Sequence, residues 1–376
     1  MSRSSPSSRP RDFAGSYDPA DVTFLLHPVT PETAAALFEE PRDKERLIQS
    51  GARHYSEMIT PERAPSAAYA AIFESALARH APRMGREVAA LARTLDARVK
   101  GPITLCSLVR AGVPLGVLLT RGLRALGRDV EHFGLSIVRD RGIDGVALDR
   151  VLARRPAAGV LFVDGWTGKG AIADELERAL AAREGLPGPR LVVLADPAGR
   201  AWLAASAEDW LIPSGILGGT VSGLVSRSIL NPRLSGPGDF HATVRLDHLA
   251  AHDVSRRFVD TLGRAVREAL PRAATLPAPA PDRDATRAAA EGVIAALAAD
   301  LGIDDRNRIK PGIAEATRAV LRRAPERVLL ASGEDPDLDG LLHLARQAGV
   351  PLEIRGTELH PYRAVTIIAD ARRPRP

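Results

Sequence analysis

The chain carries a single cysteine, Cys106, in 376 residues, and only 4% of its residues are aromatic. A lone thiol excludes an internal disulfide framework and a zinc site built from several cysteines, so nothing asks for an oxidising compartment and the cytoplasm is the expected location. Lysine is scarce too: Lys44, Lys100, Lys169 and Lys310 stand among a large majority of arginines. Long apolar runs are missing. The longest uncharged stretch, Trp210 to Ser226, is interrupted by glycine, serine and proline and falls short of the roughly 18 apolar residues that a membrane span needs. The opening MSRSSPSSRPRD has charge but no apolar segment, so residues 1–14 read as a disordered tail and not as a secretory signal.

What is present is ordinary for a soluble protein: 45% hydrophobic and 26% charged residues. The length argues for two domains. A formal charge of +5 permits contact with polyanions without demanding it. The segment PRAATLPAPAP begins at Pro271, and its alternating proline and alanine make it stiff and extended. It divides the chain into a domain over 15–270, a linker over 271–283 and a smaller domain over 284–376.

Helical spacing of apolar residues marks 31–51 and 67–95. From Ile103 the pattern alternates: strand 103–109, helix 113–126, strand 130–138, short helix 145–153, strand 160–164, helix 172–183, strand 190–195. That order predicts an α/β fold, a mainly parallel sheet with helices on both faces. Ligands of such sheets bind at the carboxyl ends of the strands.

Three loops fall there. In SLVRAGVPLG, Arg110, Ala111 and Gly112 lie between strand and helix, where glycine lets backbone approach a ligand and arginine offers a forked donor for phosphate or pyrophosphate. Arg139, Asp140 and Arg141 form a charged turn that could hood a ligand. In VDGWTGKGAIA, Thr167, Gly168, Lys169 and Gly170 open a helix whose N-terminal N–H groups would hold a phosphate, while Asp164 would bond ribose hydroxyls or sit in the shell of a Mg²⁺ carried by the substrate. A P-loop is excluded, because Val163 and Gly170 occupy the places of its first glycine and its serine or threonine.

Strand, VRAG loop, charged turn and VDG-x-TGKG loop in this order resemble the phosphoribosyltransferases. A closer resemblance is to the phosphoribosyltransferase-like proteins encoded with tellurite-resistance stress operons, the StiP family, through GSYDPADVTFLLHPV, HYSEMITPE, VDGWTGKGAI and IPSGILGGTVSGLVSRSILN. The resemblance implies a phosphoribosyltransferase-like domain binding phosphoribosyl pyrophosphate or a ribonucleotide with Mg²⁺, in nucleoside-related biosynthesis of a stress response. It also implies a C-terminal Pelota-type RNA-binding domain for structured RNA. There Gly312, Glu315 and Arg318 match the family's RNA-facing helix, with Lys310 and Arg322 extending a basic stripe. The expected activity is therefore glycosyl transfer.

Two alternatives stand beside it. Asp164 is followed by Gly165 where phosphoribosyltransferases carry paired acids, which favours a non-catalytic, nucleotide-sensing RNA-binding regulator. The StiP name is also attached to a cysteine protease, for which Cys106 would be the nucleophile and His54 its partner. Cys106 sits late in an apolar run, the usual place of a buried, inert thiol.

Overall fold

The computed structural model describes residues 12–181, 183–280 and 282–371; most of the expected N-terminal tail lies outside them. The chain opens with two short strands, β1 (Thr23–Leu25) and β2 (His27–Val29), and two short helices, α1 (Pro31–Ala34) and α2 (Pro41–Gln49). The single helical stretch expected over 31–51 is split because Pro41, without an N–H, begins α2 as its first residue, and Phe38 bridges to Ile59.

Helix α3 (Ala67–Arg98) is capped by Ser66, whose hydroxyl accepts from the Tyr69 N–H at 3.2 Å. Tyr69, Phe73, Leu77, Met84, Val88, Leu91 and Leu95 form its buried stripe. Alternation then runs through β3 (Ile103–Leu108), α4 (Val113–Ala125), β4 (Val130–Leu135), β5 (Ile137–Val138), β6 (Gly142–Ile143), α5 (Gly145–Leu152), β7 (Val160–Val163), α6 (Ala171–Ala181), β8 (Leu191–Ala195) and β9 (Leu203–Ser206). Strand β10 (Ala242–Val244) pairs with β2, and α7 (Ser255–Ala269) follows.

The main sheet has the order β1-β4-β3-β7-β8-β9, and every pairing in it is parallel. Ile103, Leu105, Leu161 and Val163 face the layer of α3, α4 and α7, whereas Cys106, Leu108, Val160 and Phe162 face Leu148, Val151, Leu176 and Leu180 of α5 and α6. Both faces are thus covered, the condition for a parallel sheet. The chain turns one way from β3 to β4 and the other way to reach β7, so the loops after β3 and β7 flank the switch point where such sheets bind ligands.

The C-terminal part comprises α8 (Arg283–Asp300), β11 (Ile309–Pro311), α9 (Ile313–Arg322), β12 (Pro325–Leu330), α10 (Asp339–Gln347), β13 (Leu352–Ile354) and β14 (Ala364–Ile368). Its sheet runs β11-β14-β12-β13, antiparallel except between β12 and β13. The proline/alanine segment is laid along α3: Thr94 Oγ1 accepts from the Leu276 N–H at 2.8 Å, and Arg98 donates to the Ala278 carbonyl at 3.0 Å. Ile313, Ala316, Leu338 and Leu341 share one apolar cluster with α3 and α4. That shared core turns α9 toward the main sheet.

Candidate functional site

The loop from Asp164 to Gly170 leaves β7 and enters α6, whose first-turn N–H groups have no partner within the helix. Gly168 to Ala173 line a cavity of about 240 Å³, together with Asp164 and Ala111. Lys310, Glu315, Arg318 and Arg323 of the C-terminal part line the same space, together with Tyr55 and Arg139. The residues that sequence reasoning divided between a phosphate cradle and an RNA surface therefore meet across one cleft.

Each cradle residue has partners that fix its role. Asp164 accepts from the Gly165 N–H at 2.8 Å, and burial, opposed by that bond and by Arg318, pushes its carboxyl up to about 7. Thr167 borders the cavity, but its hydroxyl is engaged, donating to Asp196 at 2.6 Å and accepting from the Ala198 N–H at 3.2 Å. The Gly168 carbonyl accepts from the Tyr362 hydroxyl at 3.0 Å. A Cβ at Gly168 would lie 2.8 Å from Glu315 Cγ, so glycine permits the close approach of α9. Lys169 donates to the Arg306 carbonyl at 2.8 Å and to Asn307 at 3.2 Å, and burial lowers its ammonium to about 8. Gly170 has φ +87°, which glycine accommodates without strain.

The structure places the VRAG arginine elsewhere. The Arg110 side chain is 2% exposed, bound to Glu62 at 2.6 Å and donating to the Val225 carbonyl at 2.8 Å. It belongs to a buried knot with Gly218 and Gly219, and it does not line the cleft. Gly112 is pressed against the end of β7, and only Ala111 of this loop borders the cavity. The charged turn after β5 is pinned by Glu175, which accepts from the Asp140 and Gly142 N–H groups at 2.7 and 2.8 Å. Its Arg139 reaches the cleft and Asn307, at 3.2 Å, while Arg141 faces a neighbouring depression.

Gly312 has φ +87° and precedes α9, whose first N–H, from Ile313, is accepted by Asp209 at 3.0 Å. Arg318 lies 4.6 Å over the Trp166 ring, and Arg322 is drawn toward Glu62. Tyr55, Arg227, Lys44 and Arg323 also surround this region; Tyr55 and Arg227 lie in two of the family segments and Arg323 in the C-terminal basic cluster, but the sequence assigned none of the four a place at this site. The sequence equally gave no sign of a buried pair beneath α4, Ser107 and His132, with Oγ and Nε2 2.7 Å apart. Burial pushes His132 down to about 4, and Ser107 is fully buried, so the pair is part of the packing.

Cys106 is fully buried within β3, and burial pushes its thiol well up. His54 is bonded to Ser56 Oγ at 2.7 Å, away from that strand. Among the described residues, no group of three metal-ligating side chains is present, and no helix is long and apolar enough to cross a membrane.

Residues 15–263 match the family described as tellurite-like stress resistance cysteine protease StiP, and residues 288–370 match the PELOTA RNA binding domain. A curated relative, the "Cysteine protease StiP" of Acinetobacter baylyi, is 45% identical over 367 residues, covering 95% of this chain and 94% of its own length. The chain belongs to the StiP family and carries a Pelota-type RNA-binding domain.

Among solved structures, the hypoxanthine phosphoribosyltransferase of Trypanosoma cruzi is 17% identical, with a TM-score of 0.27 over 34% of this chain and 77% of that one. The HGPRT-ase of Leishmania tarentolae in complex with GMP is also 17% identical, with a TM-score of 0.26 over 36% and 77%. Likenesses at this level carry no argument about ligand or activity. The expectation of a phosphoribosyl pyrophosphate-binding transferase is thus corrected. The family and the relative are described as cysteine proteases, in line with the last of the alternatives, and the arginine meant for pyrophosphate is locked against Glu62.

Proposed function

We propose that this protein is an RNA-binding regulator whose cleft, between α6 and α9, takes the phosphate of a ribonucleotide without transferring it. The observation that carries this reading is the facing of the α6 first turn and Lys169 by Lys310 and Arg318 across one cavity. Glu315 and Arg318 are also positions that the family resemblance assigns to RNA, and Lys310 extends the same basic stripe. Occupancy of the cleft and contact with RNA would therefore act on the same helix. A Mg²⁺ here would arrive on the ligand's phosphate, with Asp164 and Glu315 as the neighbouring carboxylates.

Calorimetric titration of the full chain with 5′-mononucleotides tests the reading. Saturable binding is expected, weakened about tenfold or more by Lys169→Ala, since a hydrogen bond to a charged group contributes about 1.5–3 kcal/mol. Absence of binding to the wild type would end it.

A second reading, peptide hydrolysis by a thiol, is favoured by the name of the 45% identical relative. It requires the nucleophile to be exposed and ionised, and Cys106, the single cysteine, is neither. Cys106→Ser is accordingly expected to leave hydrolysis of a casein or peptide substrate unchanged. Loss of a measurable activity in a folded Cys106→Ser protein would establish the protease.

A further inference from the structure

Beside the cleft lies a second space of about 210 Å³. It is bounded by Lys44, Arg227, Lys310, Arg318, Arg322 and Arg323, with Glu315 as its one acidic side chain. Tyr55, Lys310, Glu315, Arg318 and Arg323 line both spaces, so the two adjoin.

The cations differ in how they are satisfied. Arg323 is paired with Glu45, and Arg227 donates to the Tyr55 and Ser228 carbonyls at 2.7 and 3.0 Å. Among the described residues, Lys44, 5% exposed, donates one hydrogen bond, to Thr60 Oγ1 at 3.3 Å. Lys310 is 8% exposed, yet among the described residues its ammonium has no hydrogen bond and no ion pair. The guanidinium groups of Arg318 and Arg322 likewise have neither, and Arg318 Nε is buried without an acceptor.

Burying an ammonium with no counter-charge is costly, and a fold relieves that cost by pairing the group or by deprotonating it. Here the relief is deprotonation: burial, reinforced by neighbouring arginines, lowers Lys310 to about 7 and Lys44 to about 6. Several unpaired cations around one small, open space, with one acid among them, make a receptor for a compact multivalent anion. The space is too small for a nucleic-acid helix.

We infer that this cation-lined gallery is a second anion subsite, adjoining the cradle, and that the ligand is a condensed phosphate chain, either free or carried by a nucleoside. One end of the chain would lie at the α6 first turn and Lys169, and the rest would run between Lys310, Arg322 and Lys44. This deepens the proposed function and rests on it for the outer phosphate. The gallery and its unpaired cations stand independently of any nucleoside. Because the lysines regain protons when an anion arrives, binding takes up protons near neutral pH and tightens as pH falls from 8.5 to 7.

The test is calorimetric titration of the full chain with inorganic tripolyphosphate, a nucleoside triphosphate, the matching monophosphate and orthophosphate, in two buffers of different ionisation heat. Tripolyphosphate or the triphosphate is expected to bind at least tenfold more tightly than the matching monophosphate or orthophosphate, with net proton uptake. Preference for the triphosphate over tripolyphosphate would identify the chain as nucleoside-borne, and the reverse as free. Lys310→Met and Arg322→Met should both abolish the preference; Lys310→Met should also raise the melting temperature of the unliganded protein, since it removes a buried amine with no partner, whereas Arg322→Met also removes a cation that keeps Glu62 ionised. A merely structural role for Lys310 would instead lower the melting temperature.

Equal affinity for mono- and triphosphates overturns the subsite and leaves the mononucleotide reading intact. Tight tripolyphosphate binding with no mononucleotide binding does the opposite. Unchanged preference in both methionine variants, or competition only by RNA and not by tripolyphosphate, also overturns it.

Discussion

Glu62→Ala is expected to lower the free energy of unfolding by about 3–5 kcal/mol, read as a drop in urea midpoint at unchanged slope. The Glu62 carboxylate meets Arg110 at 2.6 Å and accepts from the Gly219 N–H at 3.0 Å. Arg110 is 2% exposed on its side chain, and its Nε and second terminal nitrogen are already without acceptors. Removing Glu62 leaves that guanidinium with the Val225 carbonyl as its hydrogen-bond acceptor, which is why deleting one partner costs more than the pair itself contributes.

The pH dependence carries the same signature. Burial works to raise the Glu62 carboxyl, but Arg110 and Arg322 overrule it and hold it down at about 2, against 4.5 ordinarily. A folded value below the unfolded one means that the stabilisation is complete above about 4.5 and is lost as pH falls toward 2. The wild type should therefore lose its advantage over Glu62→Ala within that window, and the two proteins should converge at its acid end.

The same knot explains where sequence reasoning stopped short. Arginine followed by small residues between a strand and a helix is the composition of an anion loop, and the strand, loop and helix are where the pattern puts them. Which way Arg110 points was decided by Glu62 and by the Gly218–Gly219 turn, both far away in the chain, and a local motif cannot see them. Thr167 is the parallel case: its hydroxyl suits a phosphate, but Asp196 claims it.

The architecture was far more legible. Elements from β3 to β8 follow from strict alternation of short apolar runs and helical stripes, because each strand is buried on both faces and each helix on one. Deviations sit where tertiary contacts intervene. The strand expected over 130–138 breaks at Ser136, whose hydroxyl is bonded to His241 at 2.7 Å, and this turns the charged loop toward the cleft. The docking of α9 against the loop that enters α6 was not legible at all. It depends on Gly168 being small enough to admit Glu315 and on Asp209 of the first domain capping Ile313 of the second. Activity was least legible of all, since the transferase pattern pointed one way and the family and curated relative another.

Gly112→Ala should be the other severe substitution, at about 3 kcal/mol, the upper range for forcing extra volume into a packed interior. A Cβ on Gly112 would fall on the Val163 carbonyl oxygen, far inside van der Waals contact, and 3.0 Å from Asp164 Cα. These are backbone atoms of a central strand, and no side-chain rotation relieves the clash. Either α4 or the end of β7 must move, and β7 ends at the cleft. The variant should consequently lose ligand affinity along with stability, although residue 112 borders no ligand space. Gly292 supplies the control. It lies within α8 with nothing within 4 Å of its would-be Cβ, so Gly292→Ala should stabilise the protein by up to about 1 kcal/mol through helix propensity. If thermal melts ranked the two alanines equally, the close approach of α4 to β7 would be wrong. With it would go the account of how the anion loop became a packing element.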